Sequence, residues 1–191
     1  MQSKFKTETI YHIFNRANNY ENLFIEEKNY DYFIELLKKH VVPIADIYAY
    51  CLLPNHFHLV LEIKNNKQLP KDYQIGRIKI HQAFSNMFNA YAKAINKAYG
   101  RRGSLFQKHL KRIIVDDNEY LQNLILYVHL NPEKHKIFYD FTLYTHSSYK
   151  TILSSEKTFL KREKVVELFD DRENFIFNHK DLTSFQNLLD L

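Results

Sequence analysis

A tight turn between two apolar segments dominates the centre of this sequence. Residues 47–53 and 56–63 are rich in aliphatic and aromatic side chains and are separated only by Pro54-Asn55. Because Pro and Asn favour turns and the flanking segments have strand character, the spacing predicts a two-residue β-hairpin. In that register Cys51 faces His58 across the hairpin, where its thiol is expected to act as a small apolar filler.

Two histidines, His56 and His58, lie in the second of these segments. Successive side chains of a strand alternate between its two faces, so both imidazoles are expected on the same face. A neutral imidazole is the commonest protein ligand for metal ions, and a pair on one rigid strand can hold a divalent ion without prior ordering of a loop. On this segment alone, two half-buried histidines of an ordinary sheet are an equal alternative.

The remaining periodic segments alternate between strand and helix patterns. In chain order they are a strand at 9–16, a helix at 26–40, the hairpin, a helix at 75–99, a strand at 110–116 and a helix from 118 to about 130. Asn131-Pro132 is expected to stop the last helix, because the residue before a proline disfavours helical geometry. This order predicts an α+β fold of the ferredoxin-like type, an antiparallel sheet with helices on one face, with one helix left over.

Positive charge is concentrated in one part of the chain, residues 73–115, which we call the basic segment. It contains no Asp or Glu, although the whole chain has 22 of these residues. A solvated surface usually mixes signs, so the asymmetry indicates a polyanionic partner, and the interleaved aromatic residues indicate nucleic acid. The nine basic residues of the segment are Arg77, Lys79, Lys93, Lys97, Arg101, Arg102, Lys108, Lys111 and Arg112.

The sequence also carries information about the compartment. No apolar run approaches the roughly 20 residues that span a bilayer, and the amino terminus lacks the residue order of a signal peptide. A cytoplasmic protein with no membrane partner is therefore expected. Cys51 is the single cysteine among 191 residues, which excludes an internal disulfide and any cysteine-based zinc motif.

The last helix of the predicted core has an apolar stripe and a polar flank. At about 100° per residue, Tyr120, Tyr127 and Asn131 fall together beside the stripe, on an edge of the helix. Tyr127 and Asn131 are four residues apart, so a phenol and an amide oxygen are expected to project from the same rim. An ordinary boundary tyrosine with its hydroxyl in water is the alternative for Tyr127. The stripe consists of Leu121, Leu124, Ile125 and Val128.

Four motifs follow one another along the chain: YHIFNR at 11–16, HFH at 56–58, GSLFQKHLKRIIVDD at 103–117 and YLQNLILYVHLNPEKH at 120–135. In this order they resemble the single-tyrosine HUH transposases, and within that family the REP-associated tyrosine transposases. The resemblance covers roughly residues 9–149. The chain departs from the family pattern in two places. Many relatives have Gln in the Asn131 role, and the charged run 133–136 stands where relatives have small or apolar residues and a glycine.

The resemblance implies a DNA transposase that cleaves and rejoins strands through a covalent 5′-phosphotyrosine, which stores the energy of the broken phosphodiester for rejoining. By the same resemblance, His56 and His58 are metal ligands, Asn131 is a third ligand and Tyr127 is the nucleophile. The implied cofactor is a divalent metal ion, Mg²⁺ or Mn²⁺, with Mn²⁺ better suited to imidazole. The implied partner is single-stranded or hairpin DNA.

On this basis we expect residues 1–149 to form the HUH transposase catalytic domain and residues 150–191 a helical C-terminal extension. Other functions stay open. An HUH replication initiator or relaxase uses the same chemistry, and a non-catalytic module that binds single-stranded DNA or RNA uses a similar sheet. A zinc hydrolase is disfavoured, because no third strong ligand lies near the histidine pair in the sequence. A monomer and a homodimer are both open, as is whether Tyr127 serves its own protomer's metal or a partner's.

Overall fold

The computed structural model describes residues 4–19 and 21–181, and within them the chain forms four strands and seven α-helices. The strands are β1 (Thr9–Arg16), β2 (Ala45–Leu53), β3 (His56–Ile63) and β4 (Lys111–Val115). The helices are α1 (Glu27–His40), α2 (Lys71–Gln74), α3 (Ile80–Ala98), α4 (Asn118–Lys134), α5 (Tyr149–Leu153), α6 (Arg162–Leu168) and α7 (Arg172–Lys180). None of these helices is both long enough and apolar enough to cross a membrane.

The four strands form one antiparallel sheet in the order β2-β3-β1-β4. Together with the chain order of the core, in which α1 follows β1 and α3 follows the hairpin, this is the ferredoxin-like topology, so the predicted α+β fold class is confirmed. The hairpin register is also confirmed, with Cys51 paired with His58 across Pro54-Asn55. Cys51 is fully buried, in keeping with its expected role as a filler.

A helical layer covers each face of the sheet. On one face α1 and α3 pack together, and the ring of Phe57 lies 5.1 Å from that of Phe33 in α1 and 5.4 Å from that of Phe88 in α3, between ring centroids. The next residue of β3, His58, points to the opposite face, where α4 crosses β2 and β3. The helix left over by the ferredoxin-like order therefore covers the second face of the sheet.

The start of the long helix differs from the prediction. It begins at Ile80 and not at residue 75, because a tight turn separates it from the short helix α2. Gly76 adopts a φ of +73°, which is costly for other residues, and the amide of Ile78 donates back to the carbonyl of Asp72 at 3.0 Å. The prediction that residues 75–79 belong to the long helix was therefore wrong.

The end of α4 also differs from the prediction. Asn131-Pro132 does not stop the helix, which continues to Lys134 with Pro132 inside it. Pro132 has no N–H to donate, and nearby the side-chain amide of Asn131 donates to the carbonyl of Tyr127 at 2.7 Å. Asn131 and Pro132 are both buried, so packing of this last turn against the sheet outweighs the cost of the proline. The helical wheel predicted Asn131 on an exposed rim of the helix, and this prediction was wrong.

The C-terminal helices pack against the outer edge of β2 and against α4. Leu160 bridges Ile47 in parallel fashion, and the amide of Lys161 donates to the carbonyl of Ile47 at 2.9 Å. On the antiparallel side, the amide of Ser148 donates to the carbonyl of Tyr50 at 2.9 Å. The division of the chain into a domain at 1–149 and an extension at 150–191 stays a prediction. The last part of that extension, residues 182–191, lies outside the described residues.

A buried histidine pair joins α7 to α4. His129 Nδ1 lies 2.8 Å from His179 Nε2, and His129 Nε2 lies 2.7 Å from the hydroxyl of Ser148. His179 Nδ1 lies 2.7 Å from the carbonyl of Phe175, so that nitrogen carries the proton and donates. One consistent arrangement follows, in which both rings are neutral and each ring nitrogen has a partner. Burial lowers the pKa of His179 to about 3.

We predict that acidification destabilises the fold through His179. Its ring stays neutral in the folded chain down to about pH 3, whereas in the unfolded chain it takes up a proton below the ordinary pKa of 6.5. The contribution is therefore present above pH 6.5 and is lost as the pH falls. From pH 7.5 to pH 5 the free energy of unfolding should fall by about 2 kcal/mol on account of this residue.

Urea denaturation at both pH values measures this loss. His179→Gln is the matched control, because it keeps a polar side chain but removes the titrating group. The variant should lose about 2 kcal/mol less than the parent over the same pH interval. Equal losses in the two proteins would show that His179 does not stay neutral in the fold.

Candidate active site

The two histidines of the hairpin lie side by side on the face of the sheet that α4 covers. Their ring centroids are 5.2 Å apart, and the rings are nearly perpendicular. His58 is buried in the sheet, whereas His56, at the start of β3, is partly exposed. The pair therefore offers one buried imidazole and one that is closer to solvent.

Tyr127 and Asn131 of α4 lie above this pair. The ring of Tyr127 is 5.5 Å from that of His58 between centroids, at an angle of 88°. Tyr127 is half-buried, and Asn131 is completely buried one turn later on the helix. The fold thus brings together all four residues that the sequence singled out for metal binding and nucleophilic attack.

Two polar atoms in this cluster are buried without a hydrogen-bond partner among the described residues. They are Nε2 of His58 and Oδ1 of Asn131. Leaving a buried polar atom unpaired costs roughly 1 to 3 kcal/mol, so most such atoms in folded proteins have a partner. Both atoms belong to residues predicted as metal ligands, and a bound ion is one partner that would satisfy both at once.

The other ring nitrogens of the two histidines are held by neighbours. His56 Nδ1 lies 2.6 Å from Oδ1 of Asn55, which can only accept, so Nδ1 carries the proton and Nε2 keeps its lone pair. His58 Nδ1 lies 2.9 Å from Nε2 of His12 in β1. When His58 donates in that bond, its own Nε2 also keeps a lone pair. Such bonds to the remote nitrogen orient metal-binding histidines.

Burial keeps both histidines neutral. It lowers the pKa of His56 to about 4, with further lowering from the charges of His135 and Arg16, while Asn131 acts in the opposite direction. Burial also lowers the pKa of His58 well below its ordinary value. Neutral imidazole is the form that binds metal ions, so neither ring has to lose a proton near pH 7.

The phenol of Tyr127 is protonated near neutral pH. Burial raises its pKa above the ordinary value of 10, while a hydrogen-bonding influence of the Asn131 side chain lowers it. Asn131 Oδ1 makes no hydrogen bond of good geometry, yet its amide is close enough to affect the pKa of both Tyr127 and His56. Asn131 is therefore the residue that links the tyrosine to the histidine pair.

Three further side chains, which the sequence patterns did not single out, reach the cluster. Besides His12, they are Lys134, whose Nζ lies 4.5 Å from the centroid of the Tyr127 ring, and His135, whose ring lies 4.8 Å from that of His56. Lys134 and His135 were missed because the helix was expected to end before them. Positions 127, 131 and 135 share one helical stripe, which is the signal that would have found His135.

The ligand set is not a conventional metal cluster. Within residues 4–19 and 21–181, no group of three or more His, Cys, Asp and Glu side chains is arranged to hold a metal ion. The candidate set instead has two imidazoles and one amide oxygen. A set of three neutral ligands binds more weakly than a closed zinc site and leaves positions open for oxygen atoms of a substrate.

The basic segment lies mainly on the other side of the sheet. Seven of its nine basic side chains are exposed, whereas Arg101 and Arg112 are partly buried. Arg101 forms an ion pair with Glu21 and donates a hydrogen bond of 2.6 Å to Asn96 Oδ1, so its guanidinium is already bound within the protein. Arg112 packs 4.0 Å above the ring of Phe5. The exposed lysines are therefore the better candidates for contacts with a polyanion.

A cleft of about 1000 Å³ opens between α3 and the loop that precedes β4. Its lining includes the side chains of Lys79 and Lys108 and the rings of Phe84 and Phe88. Cations and aromatic rings together suit a single nucleic-acid strand, whose phosphates and bases need different partners. The cleft lies on the α3 face of the sheet, away from Tyr127.

No protein-family model matches the chain, and no curated protein matches its sequence. Among solved structures, the fold is similar to that of a REP-associated tyrosine transposase bound to a REP hairpin, with a TM-score of 0.57. The match covers 81% of this chain and 84% of that chain, at 16% sequence identity. At this identity the similarity establishes a shared fold.

Proposed function

We propose that this protein is a metal-dependent tyrosine transposase that cleaves and rejoins DNA strands. The observation that carries the proposal is the position of Tyr127 near two buried ligand atoms, on His58 and Asn131, that have no hydrogen-bond partner in the described part of the chain. The shared fold supports it, because the similar solved structure is described as a tyrosine transposase bound to a REP hairpin. Neither a binding module nor a structural protein needs this combination of residues.

In the proposed reaction, Oη of Tyr127 attacks a phosphorus atom of the DNA backbone. A new bond joins the tyrosine to the 5′ phosphate, and the bond to the 3′ oxygen breaks. The phenol loses its proton, and the departing 3′ oxygen takes one up. Because the phosphotyrosine keeps the energy of the original diester, a free 3′ hydroxyl can attack it and rejoin a strand. The half-buried position of Tyr127 restricts competition from water.

His56, His58 and Asn131 are proposed to hold a divalent ion, Mg²⁺ or Mn²⁺. The residues fit such an ion, because both histidines are neutral and two of the three ligand atoms are buried with no partner within residues 4–19 and 21–181. Imidazole ligands favour Mn²⁺ over Mg²⁺. A bound ion would supply a positive charge that polarises the scissile phosphate. His12 would then orient His58, and Asn131 would hold its oxygen beside the tyrosine.

The proposed partner is single-stranded or hairpin DNA, bound through the exposed lysines of the basic segment, with the cleft beside α3 as one site for a strand. The proposed location is the cytoplasm, as expected from the sequence. An HUH replication initiator or relaxase would form the same covalent bond. Rejoining of the cleaved strand to a new 3′ end distinguishes transposition from a simple nick.

The first test concerns the nucleophile. Tyr127→Phe removes one hydroxyl and should abolish the covalent DNA adduct while leaving the fold and DNA binding intact. Tyr120→Phe is the matched control, because Tyr120 lies on the same helix, about 10 Å along its axis, and should keep the adduct. The measurement is a denaturant-resistant complex formed with hairpin-bearing single-stranded DNA and Mn²⁺. An adduct with the Tyr127→Phe protein, or peptide mapping to Tyr120, would contradict the assignment.

The second test concerns the metal ligands. His58→Ala should weaken Mn²⁺ binding by at least about tenfold, because a directly bound ligand is lost. His81→Ala is the matched control, since His81 is exposed on α3, on the other side of the sheet. Calorimetric titration with Mn²⁺ measures the affinity without any DNA. Equal Mn²⁺ affinity of the two variants would remove His58 from the site.

The third test concerns the basic segment. Binding to hairpin-bearing single-stranded DNA should weaken steeply with salt, because counterions are released from the phosphates. Replacing the exposed lysines Lys79, Lys93 and Lys108 with Ala should reduce the slope of log K against log salt by about 2. Replacing Lys39, Lys157 and Lys180, which are exposed elsewhere, should leave it nearly unchanged. Equal effects of the two triple variants would mean that overall charge, and not the segment, drives binding.

A further inference from the structure

Lys134, the last residue of α4, reaches back along the helix to Tyr127. Its Nζ lies 4.5 Å from the centroid of the Tyr127 ring. The two residues are seven positions apart, which at about 100° per residue places them nearly on one line along the helix. Helical side chains lean toward the N-terminus of their helix, so a long lysine side chain covers the turns that precede it. The helical geometry of α4 therefore explains this contact.

The contact depends on the continuation of α4 past Pro132. Asn131 and Pro132 are buried, which holds the last helical turn against the rest of the protein. If the helix ended at Asn131, Lys134 would not share the stripe of Tyr127. A cation in the last turn is also favourable, because the C-terminal end of a helix carries a partial negative charge. Burial of the last turn and the helix dipole therefore both favour the position of Lys134 near the ring.

The positive charge of Lys134 acts on the candidate site. Burial is the main reason that the pKa of His58 is low, and the charge of Lys134 is one of the smaller causes. Burial and then the charge of Lys134 also lower the pKa of His135. Lys134 itself is partly buried, so water screens its charge less than that of a fully exposed lysine. The charge of Lys134 therefore extends to the rings of the candidate site.

Three other neighbours of Tyr127 do not supply a positive charge. The rings of His12 and His58 lie 6.3 Å and 5.5 Å from that of Tyr127, between centroids. Burial lowers the pKa of both histidines, so both are neutral near pH 7. Asn131 is uncharged, and its amide already donates to the backbone carbonyl of Tyr127 at 2.7 Å. Lys134 therefore brings to the tyrosine a charge that these three neighbours lack.

A cation over the ring matters most during the reaction. When Oη of Tyr127 attacks phosphorus, it loses its proton and carries negative charge, which spreads by resonance into the ring. The attraction between a cation and an aromatic face is electrostatic, so it rises with the electron density of that face. The contact is therefore stronger in the transition state than in the resting protein, and only such an interaction accelerates a step. The same holds for rejoining, when Oη leaves phosphorus.

We propose that Lys134 is a positioning residue for Tyr127, whose ammonium fixes the ring and offsets the negative charge that Oη bears while its bond to phosphorus forms or breaks. Lys134 keeps its proton throughout: it neither takes the proton of the phenol nor supplies the one that the 3′ oxygen gains. The inference rests on the proposed function, because it assigns a role in the covalent step. The alternative is a lysine that only stabilises the end of α4 through the helix dipole.

Lys134→Met tests the charge, because methionine keeps a flexible, unbranched side chain without the ammonium. The measurement is the single-turnover rate of adduct formation with hairpin-bearing single-stranded DNA and Mn²⁺, at saturating protein. The rate should fall at least about tenfold, and Lys134→Arg, which keeps a cation over the ring, should restore most of it.

Lys136→Met is the matched control for this measurement. It makes the same change, with the same loss of charge, at an exposed lysine two residues later, and should keep the rate of the parent. The affinities of the Lys134→Met and Lys136→Met proteins for the DNA should agree within about twofold, since each loses one charge. A lower rate at equal DNA affinity separates a role in the covalent step from a role in binding.

A second measurement separates the contact with the ring from a role in the helix alone. Difluorotyrosine in place of Tyr127 has less electron density on the face of its ring, which weakens the attraction for a cation. Lys134→Met should therefore slow adduct formation less in the fluorinated protein than in the parent. A loosened helix end would slow the reaction by the same factor in both.

Three results would overturn the inference while leaving the proposed function in place. The first is a Lys134→Met protein that forms the adduct at the rate of the parent. The second is equal slowing by Lys134→Met and Lys136→Met, which would assign the effect to overall charge. The third is equal slowing by Lys134→Met with and without fluorine on Tyr127, which would assign it to the helix end. A parent chain that forms no adduct would overturn the proposed function as well.

Discussion

The packing of α4 across the second face of the sheet is the contact on which the candidate site depends. Strands β2 and β3 are buried along nearly their whole length, so neither face can be left to solvent. The layer of α1 and α3 covers only one face of the sheet, and burial of the other face requires a further amphipathic helix. Because β3 carries His58 on that second face, the same packing that completes the core brings Tyr127 to the histidine.

This placement has an electrostatic consequence. Burial under α4 keeps His58 neutral and leaves its Nε2 without a partner among the residues that the structure describes, at a cost that a well-packed apolar residue would avoid. Asn131 carries a similar cost one turn from Tyr127, again in the contact between helix and sheet. Unpaired groups in a protein core commonly mark a site where a ligand completes the hydrogen bonding or the coordination. Two such atoms, one on a residue whose ring lies beside Tyr127 and one on a residue one turn from it, indicate a site for a ligand more strongly than either residue alone.

Local chemistry in the sequence was enough to predict the parts of the fold that depend on neighbouring residues. Pro54-Asn55 sets the register of the hairpin, and strand alternation sets the shared face of His56 and His58, so both could be predicted without knowledge of the tertiary structure. The continuation of α4 past Pro132 could not be predicted in this way, since burial of the last turn decides it. The bond from His12 to His58 was equally hidden, because it depends on the pairing of two strands that are far apart in the chain.

The position of a bound ion in crystals of the protein grown with Mn²⁺ tests the central claim most directly. Anomalous scattering at the manganese edge locates the metal independently of the protein atoms. The account predicts one strong peak within bonding distance of Nε2 of His56, Nε2 of His58 and Oδ1 of Asn131, on the side that faces Tyr127. A manganese peak elsewhere, with these three atoms free of metal, would contradict it.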